Sequence, residues 1–514
     1  MSLIGASLAE PAQPTRLLER GLTRDPHGLA LISAEGSISW QELEATSSRL
    51  AANYLSLGLL PGDRVASLMP NRRALTTHYL ACIKAGLVAT PLNYRYRPPE
   101  IDHALEVSGA SILIAHTERR NDVADSRLAQ LLPLGTLFYE AAETDSRRWE
   151  DLATSNHTST ELPSPDAEAA SIIFFTSGST GKPKGVTHTF GTLGWMMASV
   201  VPALEITAGD VVLPGSSHSH IGGMLLSLAA LSAGATVLIP RSTDGDELLP
   251  LLRNHRPTLL CMLPAALFGL VRDHNARPDD FRSLRLCIAG GDKVSAELMR
   301  EFTELTGLAI DETYGMTEIG YTTANPPSGT NKLGSIGRAC PGFTLAIRDE
   351  LGGDLPSDTP GRLWVRSPTN MIGYWQNPAA TSDTIRDGWL DTGDLMAADA
   401  DGYLSFHGRK KQIIIHDGSN ICPQEVEEAL LEHPAVLSAG VIGIHNLVHG
   451  ENVRAYVSLR PGSIRPSDQE LIRFARARIG YKAPEEVVVL DEMPLNATGK
   501  VDRVALKAMS AATT

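Results

Sequence analysis

An α/β fold is predicted by three features of the 514-residue chain. β-prone apolar runs alternate with helical stretches, the pattern of βαβ units and a mostly parallel sheet covered on both faces. One such run, Ala169 to Phe175, feeds a stretch of small, flexible and cationic residues, Thr176 to Val186 (TSGSTGKPKGV), as a strand feeds a ligand loop at a sheet edge. From Gly334 to Val365 the alternation gives way to short β runs and turns such as Gly352-Gly353-Asp354, which predicts a barrel-like subdomain. A chain this long exceeds one ordinary core, so two or three domains are expected.

The elements follow in order. Ser39-Trp40-Gln41-Glu42 has the form of a capping box, and Leu43, Leu50, Ala51, Tyr54 and Leu55 continue at helical spacing until Gly58. A strand is predicted at Arg64 to Met69, a helix through Tyr79 to Ala85, a helix at Glu100 to Ser108 and a strand at Ser111 to Ala115. Residues 118–168 are polar and poorly periodic, and are expected as a surface excursion. Helices are then expected near 192–203, 223–232 and 246–253, with strands at 211–213, 235–239, 257–262 and 284–289. Val211 to Pro240 carries no Asp, Glu, Lys or Arg, and Ile221 to Ile239 is long enough to cross a bilayer. Ser227, Ser232, Gly234 and Thr236 divide it, so two buried elements are expected instead.

The formal charge of −14 argues against a nucleic-acid binder and leaves an anionic substrate to local lysines and arginines. Five scattered cysteines without a CxxC pair indicate neither a disulfide framework nor a zinc site, and fit a reducing cytoplasm. MSLIGASLAEPAQP lacks the basic and apolar regions of a signal peptide.

The stretch at Thr176 suits a polyphosphate. Gly178, Gly181 and Gly185 let the backbone approach a ligand, Thr176, Ser177, Ser179 and Thr180 add hydroxyls, and Lys182 and Lys184 add charge. A Walker A loop would need Gly at position 176 and Ser or Thr after Lys182, where this chain has Thr176 and Pro183. Downstream, Thr313-Tyr314-Gly315-Met316-Thr317-Glu318 brings a hydroxyl and a carboxylate together, and a carboxylate beside phosphates calls for a cation, which makes Glu318 a candidate Mg²⁺ ligand. These two strings, in this order, resemble the hallmarks of the adenylate-forming superfamily: acyl-CoA synthetases, peptide-synthetase adenylation domains and firefly luciferase.

The resemblance runs from Ser39 to Lys500 and assigns further roles. It implies that Gly290, Gly291 and Asp292 lie against adenine, with Thr313, Tyr314, Gly315 and Met316 beside them, that Asp394 in Trp389-Leu390-Asp391-Thr392-Gly393-Asp394 accepts from the ribose, and that Arg409 reaches ribose or phosphate. Lys411 is implied as the hinge between an AMP-binding domain, 1–410, and a small mobile α+β domain, 411–514. That domain would carry Lys500 into the site as the catalytic lysine, and Gly418 would line the thiol tunnel after the domain swings. One departure is local: where the family often has Thr-His after the loop, this chain has Thr189-Phe190, with His188 displaced.

The implied reaction joins a carboxylic acid to ATP, giving acyl-AMP and pyrophosphate, before the thiol of coenzyme A displaces AMP. ATP, Mg²⁺ and coenzyme A are the expected cofactors. Thr317 and Glu318 would act with Lys500, and His220, in Ser217 to Met224, stands at the family's gate position. Gly222, Gly223 and Met224 are read as an apolar wall with room, which favours a fatty or aromatic acid, and His218 as a possible anchor for a second carboxylate. Two alternatives stay open: a ligase loading a separate carrier protein, and a non-catalytic sensor, which would be expected to have lost Lys500 or Glu318.

Overall fold

The computed structural model describes residues 2–155, 161–176, 183–409, 412–416, 419–446, 450–496 and 499–512. Ser177, Gly178, Ser179, Thr180, Gly181, Lys182, Lys411 and Gly418 lie outside the described residues.

Two sheets sandwich a shared helical layer. The seven-stranded sheet runs Gly373–Tyr374, Lys184–Thr189, Ala170–Thr176, Val88–Pro91, Arg64–Leu68, Ile112–His116, Thr136–Tyr139. It is parallel from Ala170–Thr176 (β1) to the far edge, while Lys184–Thr189 (β2) folds back on β1 as a hairpin. The nine-stranded sheet runs Arg338–Ala339, Gly320–Ala324, Ile310–Met316, Leu286–Gly290, Leu259–Met262, Val211–Gly215, Thr236–Ile239, Leu29–Ser33, Gly36–Ser39. Its middle, including Leu286–Gly290 (β3) and Ile310–Met316 (β4), is parallel, and Gly320–Ala324 (β5) turns back antiparallel on β4.

Between them pack helices such as Trp40–Ser56, Arg73–Lys84, Phe190–Ala203 and Ile221–Ser232 (α1), and one core cluster takes Val65, Ala89 and Ile172 from one sheet and Val212, Val237 and Leu259 from the other. α1 followed by Thr236–Ile239 gives the two buried elements expected of the uncharged stretch, and among the described residues no helix is long and apolar enough to cross a membrane. The capping box forms as predicted: Ser39 N–H donates to Glu42 Oε2 at 2.8 Å and Glu42 N–H to Ser39 Oγ at 3.3 Å.

Two expectations need correction. Residues 118–168 are not a surface excursion throughout, because Thr136–Tyr139 extends the seven-stranded sheet and helix Trp149–Thr154 buries Trp149, whose indole N–H donates to Tyr54 Oη at 3.2 Å. Few apolar anchors carry this segment, so its periodicity is faint even though Phe138 and Trp149 are buried. Lys184 belongs to strand β2 and not to an extended loop; β2 was missed because its Thr and His residues face a buried environment without apolar alternation.

The third sheet is antiparallel: Ser2–Ile4, Thr344–Arg348, Gly361–Arg366, Trp389–Ala398 (β6) and Ile385–Arg386, with Leu404–Arg409 (β7) on β6. From residue 414 onward the chain builds a five-stranded sheet of its own, with helices Pro423–Leu431, Asp468–Ile479 and Arg503–Ala512 and a separate core around Val426, Val441, Val453 and Leu471.

Candidate active site

The β1–β2 hairpin sets Thr176 opposite Lys184 at the base of the glycine-rich connection. The Lys184 ammonium lies 4.4 Å from the centre of the Tyr374 ring, a cation–π contact made possible because Gly373–Tyr374 pairs along β2. The Tyr374 hydroxyl in turn donates to Glu318 Oε1 at 2.9 Å. Glu318 sits buried in the turn between β4 and β5, where burial raises its pKa and the Tyr374 bond, Arg409 and Lys184 oppose that shift. The turn is pinned from two sides. Met371 N–H donates to the Glu318 carbonyl at 2.8 Å, and His188 Nε2 donates to the Thr317 carbonyl at 2.8 Å. Burial pushes His188 down to about 4, so it is a neutral donor at pH 7.

The ends of β3 and β4 form the second wall. A side chain at Gly290 would meet Thr313 Cγ2 at 2.8 Å, and Gly291 adopts φ +84°, so the backbone here is bare. A Cβ at Gly315 would stand 2.3 Å from the Gly320 carbonyl oxygen, which keeps the β4–β5 hairpin tight below Met316. Thr313 donates its hydroxyl to the Thr323 carbonyl and is buried. Tyr314 donates to Asp394 Oδ2 at 2.6 Å, while Arg409 on β7 pairs with Asp394 Oδ1 at 2.9 Å. Asp394 on β6 is buried, which raises its pKa, and Arg409 opposes the rise. The Asp394 Oδ2 is thus hydrogen-bonded to Tyr314, while buried Oδ1 faces the Arg409 guanidinium as an ion pair and has no hydrogen-bond partner among the described residues.

The C-terminal residues supply the missing cation. Lys500 donates its ammonium to the Gly291 carbonyl, next to exposed Asp292. Protein crowding around the ammonium lowers its pKa, and Asp292 pulls the other way. A second link across the same gap joins Lys293 Nζ to Glu428 Oε2 at 2.7 Å. His220 is neutral: burial lowers it to about 4, with Lys500 and Arg95 adding to the shift.

The segment expected to hold the acid, Ser217 to Met224, is more enclosed than its sequence suggests. A Cβ at Gly222 would meet nothing within 4 Å, so open space lies beside the first turn of α1. The expected room at Gly223 is absent, because a Cβ there would approach the Ser217 carbonyl oxygen to 2.7 Å. Met224 faces the helical core at 2% exposure, and His218 is equally buried at 1%, so neither lines an open wall. Burial holds His218 down to about 4, which removes it as a charged anchor for a second carboxylate. The Tyr321 hydroxyl donates to the Gly222 carbonyl at 3.4 Å and lies 3.5 Å from Cys261 Sγ.

The geometry suits a magnesium nucleotide. Among the described residues no group of three or more His, Cys, Asp or Glu could hold a metal by itself. Glu318 offers one buried carboxylate, and magnesium is commonly held by one carboxylate plus phosphates and water. Neither Tyr374 nor His188 was assigned a role from the sequence. Their only signal was position, since Tyr374 follows Gly373 in an ordinary-looking turn and His188 read as a displaced motif residue.

Residues 18–375 match the AMP-binding enzyme family and residues 425–500 the AMP-binding enzyme C-terminal domain. A feruloyl-CoA synthase from an Amycolatopsis species is 34% identical over 93% of this chain and 94% of its own length. The fatty acid–[acyl-carrier-protein] ligase ScoC of Streptomyces coeruleorubidus is 30% identical over 94% of this chain and 93% of its own. Among solved structures, ATP-bound MatB from Rhodopseudomonas palustris superposes with a TM-score of 0.88 at 29% identity, covering 96% of this chain and 98% of that one. Apo MatB gives 0.78, covering 97% of this chain and 99% of that one at the same 29% identity. With family-model matches across both segments, the chain belongs to the AMP-binding enzyme family.

Proposed function

We infer that this AMP-forming acid–thiol ligase activates a fatty or aromatic carboxylic acid, with an aromatic acid preferred, and passes it to coenzyme A. The observation that carries the adenylation step is that Arg409 lies within electrostatic reach of both Glu318 and Lys500, which ties the Lys184–Tyr374–Glu318 chain to the Lys500–Gly291 contact. The acid's carboxylate attacks the α-phosphorus of ATP, the bond to the β-phosphate oxygen breaks, and pyrophosphate leaves with its electron pair. Glu318 would hold a magnesium ion, which would supply charge shielding to the nucleotide's phosphates. Lys184 and Lys500 offset charge, Asp394 and Arg409 hold the ribose, and the bare backbone of Gly290 and Gly291 admits adenine. Thr176 and Thr317 contribute hydroxyls at the hairpin and the turn. The thiolate of coenzyme A then attacks the acyl carbon and AMP leaves.

The second step needs a different face of the residues after Lys411. We assign Lys411 as the pivot, residues 1–410 and 411–514 as the two bodies, and Gly418 to the thiol tunnel. The Tyr321 hydroxyl borders the Ser217 to Met224 segment through its bond to the Gly222 carbonyl, and the feruloyl-CoA synthase relative supports an aromatic acid. The carrier-protein ligase among the relatives keeps a second acceptor in view, a phosphopantetheine on a separate protein. Five free cysteines, four of them buried, suit a reducing cytoplasm, where we place the enzyme. ATP–pyrophosphate exchange over a panel of acids, followed by mass spectrometry with coenzyme A, tests the reading. Exchange with aromatic acids and formation of their thioesters is expected; long-chain acids alone giving exchange would overturn the aromatic preference.

A further inference from the structure

Asn93 follows strand Val88–Pro91 and is 8% exposed. Its Oδ1 accepts the Arg95 backbone N–H at 2.9 Å, and its Nδ2 lies 3.2 Å from His220 Nε2. These two contacts determine each other. A backbone N–H only donates, so the amide oxygen must face Arg95 and the NH₂ must face His220. An NH₂ group also only donates, so His220 Nε2 must be the lone-pair nitrogen. A neutral imidazole has one proton, and it is left on Nδ1.

The surroundings keep the ring neutral. Burial lowers its pKa, and the two cations facing it, Lys500 from the C-terminal residues and Arg95 from the loop after Val88–Pro91, act in the same direction. His220 occupies the N-cap position of α1 yet makes no side-chain capping bond, so Nδ1 is not spent on the helix. Two residues on, the space beside Gly222 is open.

We propose that Asn93 is a positioning residue that locks His220 in its Nδ1–H tautomer, so that the ring presents an uncharged N–H donor to the carboxylate of the acid. This rests on the assignment of the acyl site to α1 made above. A neutral donor fits the chemistry, because the carboxylate loses charge as it attacks phosphorus. A full imidazolium would hold the ground state more tightly than the transition state.

The test begins on the unmutated chain without substrate. Two-bond ¹H–¹⁵N spectra of imidazole-labelled protein, with His220→Gln identifying the signal, should show Nδ1 protonated at pH 7. An Nε2–H signal would overturn the lock whether or not any variant folds. Asn93→Asp keeps an acceptor for Arg95 N–H but turns a second oxygen toward Nε2, so the proton should move to Nε2. Its pyrophosphate exchange should fall about tenfold in kcat, with KM for ATP unchanged and a new ionisation between about pH 5 and 8. An unchanged tautomer in Asn93→Asp would also overturn the proposal. Absence of exchange with every acid in the wild type would instead defeat the ligase reading, since the spectra do not depend on turnover.

Discussion

Tyr374 donates its hydroxyl to Glu318 Oε1 at 2.9 Å while its ring carries the Lys184 ammonium at 4.4 Å, so one side chain links the turn carboxylate to the phosphate hairpin. Tyr374→Phe separates the two functions, because it keeps the ring and removes the bond. The bond lowers the Glu318 pKa against the effect of burial, so its loss should raise that pKa further. The acid limb of pyrophosphate exchange should then move to higher pH, and the Mg²⁺ concentration for half-maximal rate should rise about tenfold, the worth of a hydrogen bond to a charged group. An unchanged Mg²⁺ dependence would show that Tyr374 serves only to pack β2.

How far the sequence could be read depended on whether a residue announces its partner. The βαβ layers were legible because Val65, Ile172, Val212 and Leu259 sit in periodic apolar runs that only a two-faced burial explains. Glu318 and Lys500 were legible through ordered motifs. Tyr374 was not, since its role depends on a contact with a residue 56 positions away. Asn93 reaches His220 across 127 positions, and no local pattern encodes that. The failure at Gly223 and Met224 has a similar cause: small and apolar residues read alike whether they face a ligand or a core, and only the Ser217 carbonyl beside Gly223 decides it.

His188 gives a test that separates structure from chemistry. Its Nε2–H satisfies the Thr317 carbonyl, and His188→Leu would leave that carbonyl without its donor at a cost of about 1–3 kcal/mol. Exchange activity should fall with stability, and His188→Gln should recover part of both. The sign with pH follows from its folded value of about 4 against the ordinary 6.5. Between those values the unfolded chain binds the extra proton, so stability rises with pH through the window and is lost as pH falls toward 4. His218 and His220 share that direction and value, and His78 is lower still, at about 3. Melting temperature should therefore drop on acidification below about pH 6.5, and less steeply in His188→Gln; equal slopes would show that His188 takes no part in the acid sensitivity.

Lys500 should set the alkaline limit of adenylation. Its pKa is lowered by the protein around the ammonium, so its charge is lost at a lower pH than that of an ordinary lysine. Pyrophosphate exchange should decline as pH rises through that point. Lys500→Arg, charged throughout, should flatten the decline even if its absolute rate is lower. Lys500→Ala should reduce exchange on the order of 10²-fold or more while sparing thioester formation from supplied acyl adenylate. Equal loss of both half-reactions would place the lysine in folding or in both steps.

Lys293 and Glu428 join the loop after Gly290 to helix Pro423–Leu431 at 2.7 Å, beside the Lys500 contact with Gly291. Their side chains are 44% and 35% exposed, so the pair contributes about 1 kcal/mol at most. That is small for folding but sufficient to bias two arrangements of the C-terminal residues about fivefold. Lys293→Glu should therefore slow exchange a few-fold at low salt and leave thioester formation from supplied adenylate undiminished, since the proposed second step uses a different arrangement. Adding Glu428→Lys restores the attraction with its sign reversed and should restore exchange. High salt should weaken the wild-type pair and shrink the gap between wild type and variant. A double variant as slow as Lys293→Glu, or a loss independent of salt, would assign the effect to Lys293 in the loop after Gly290 and not to the link between the two halves.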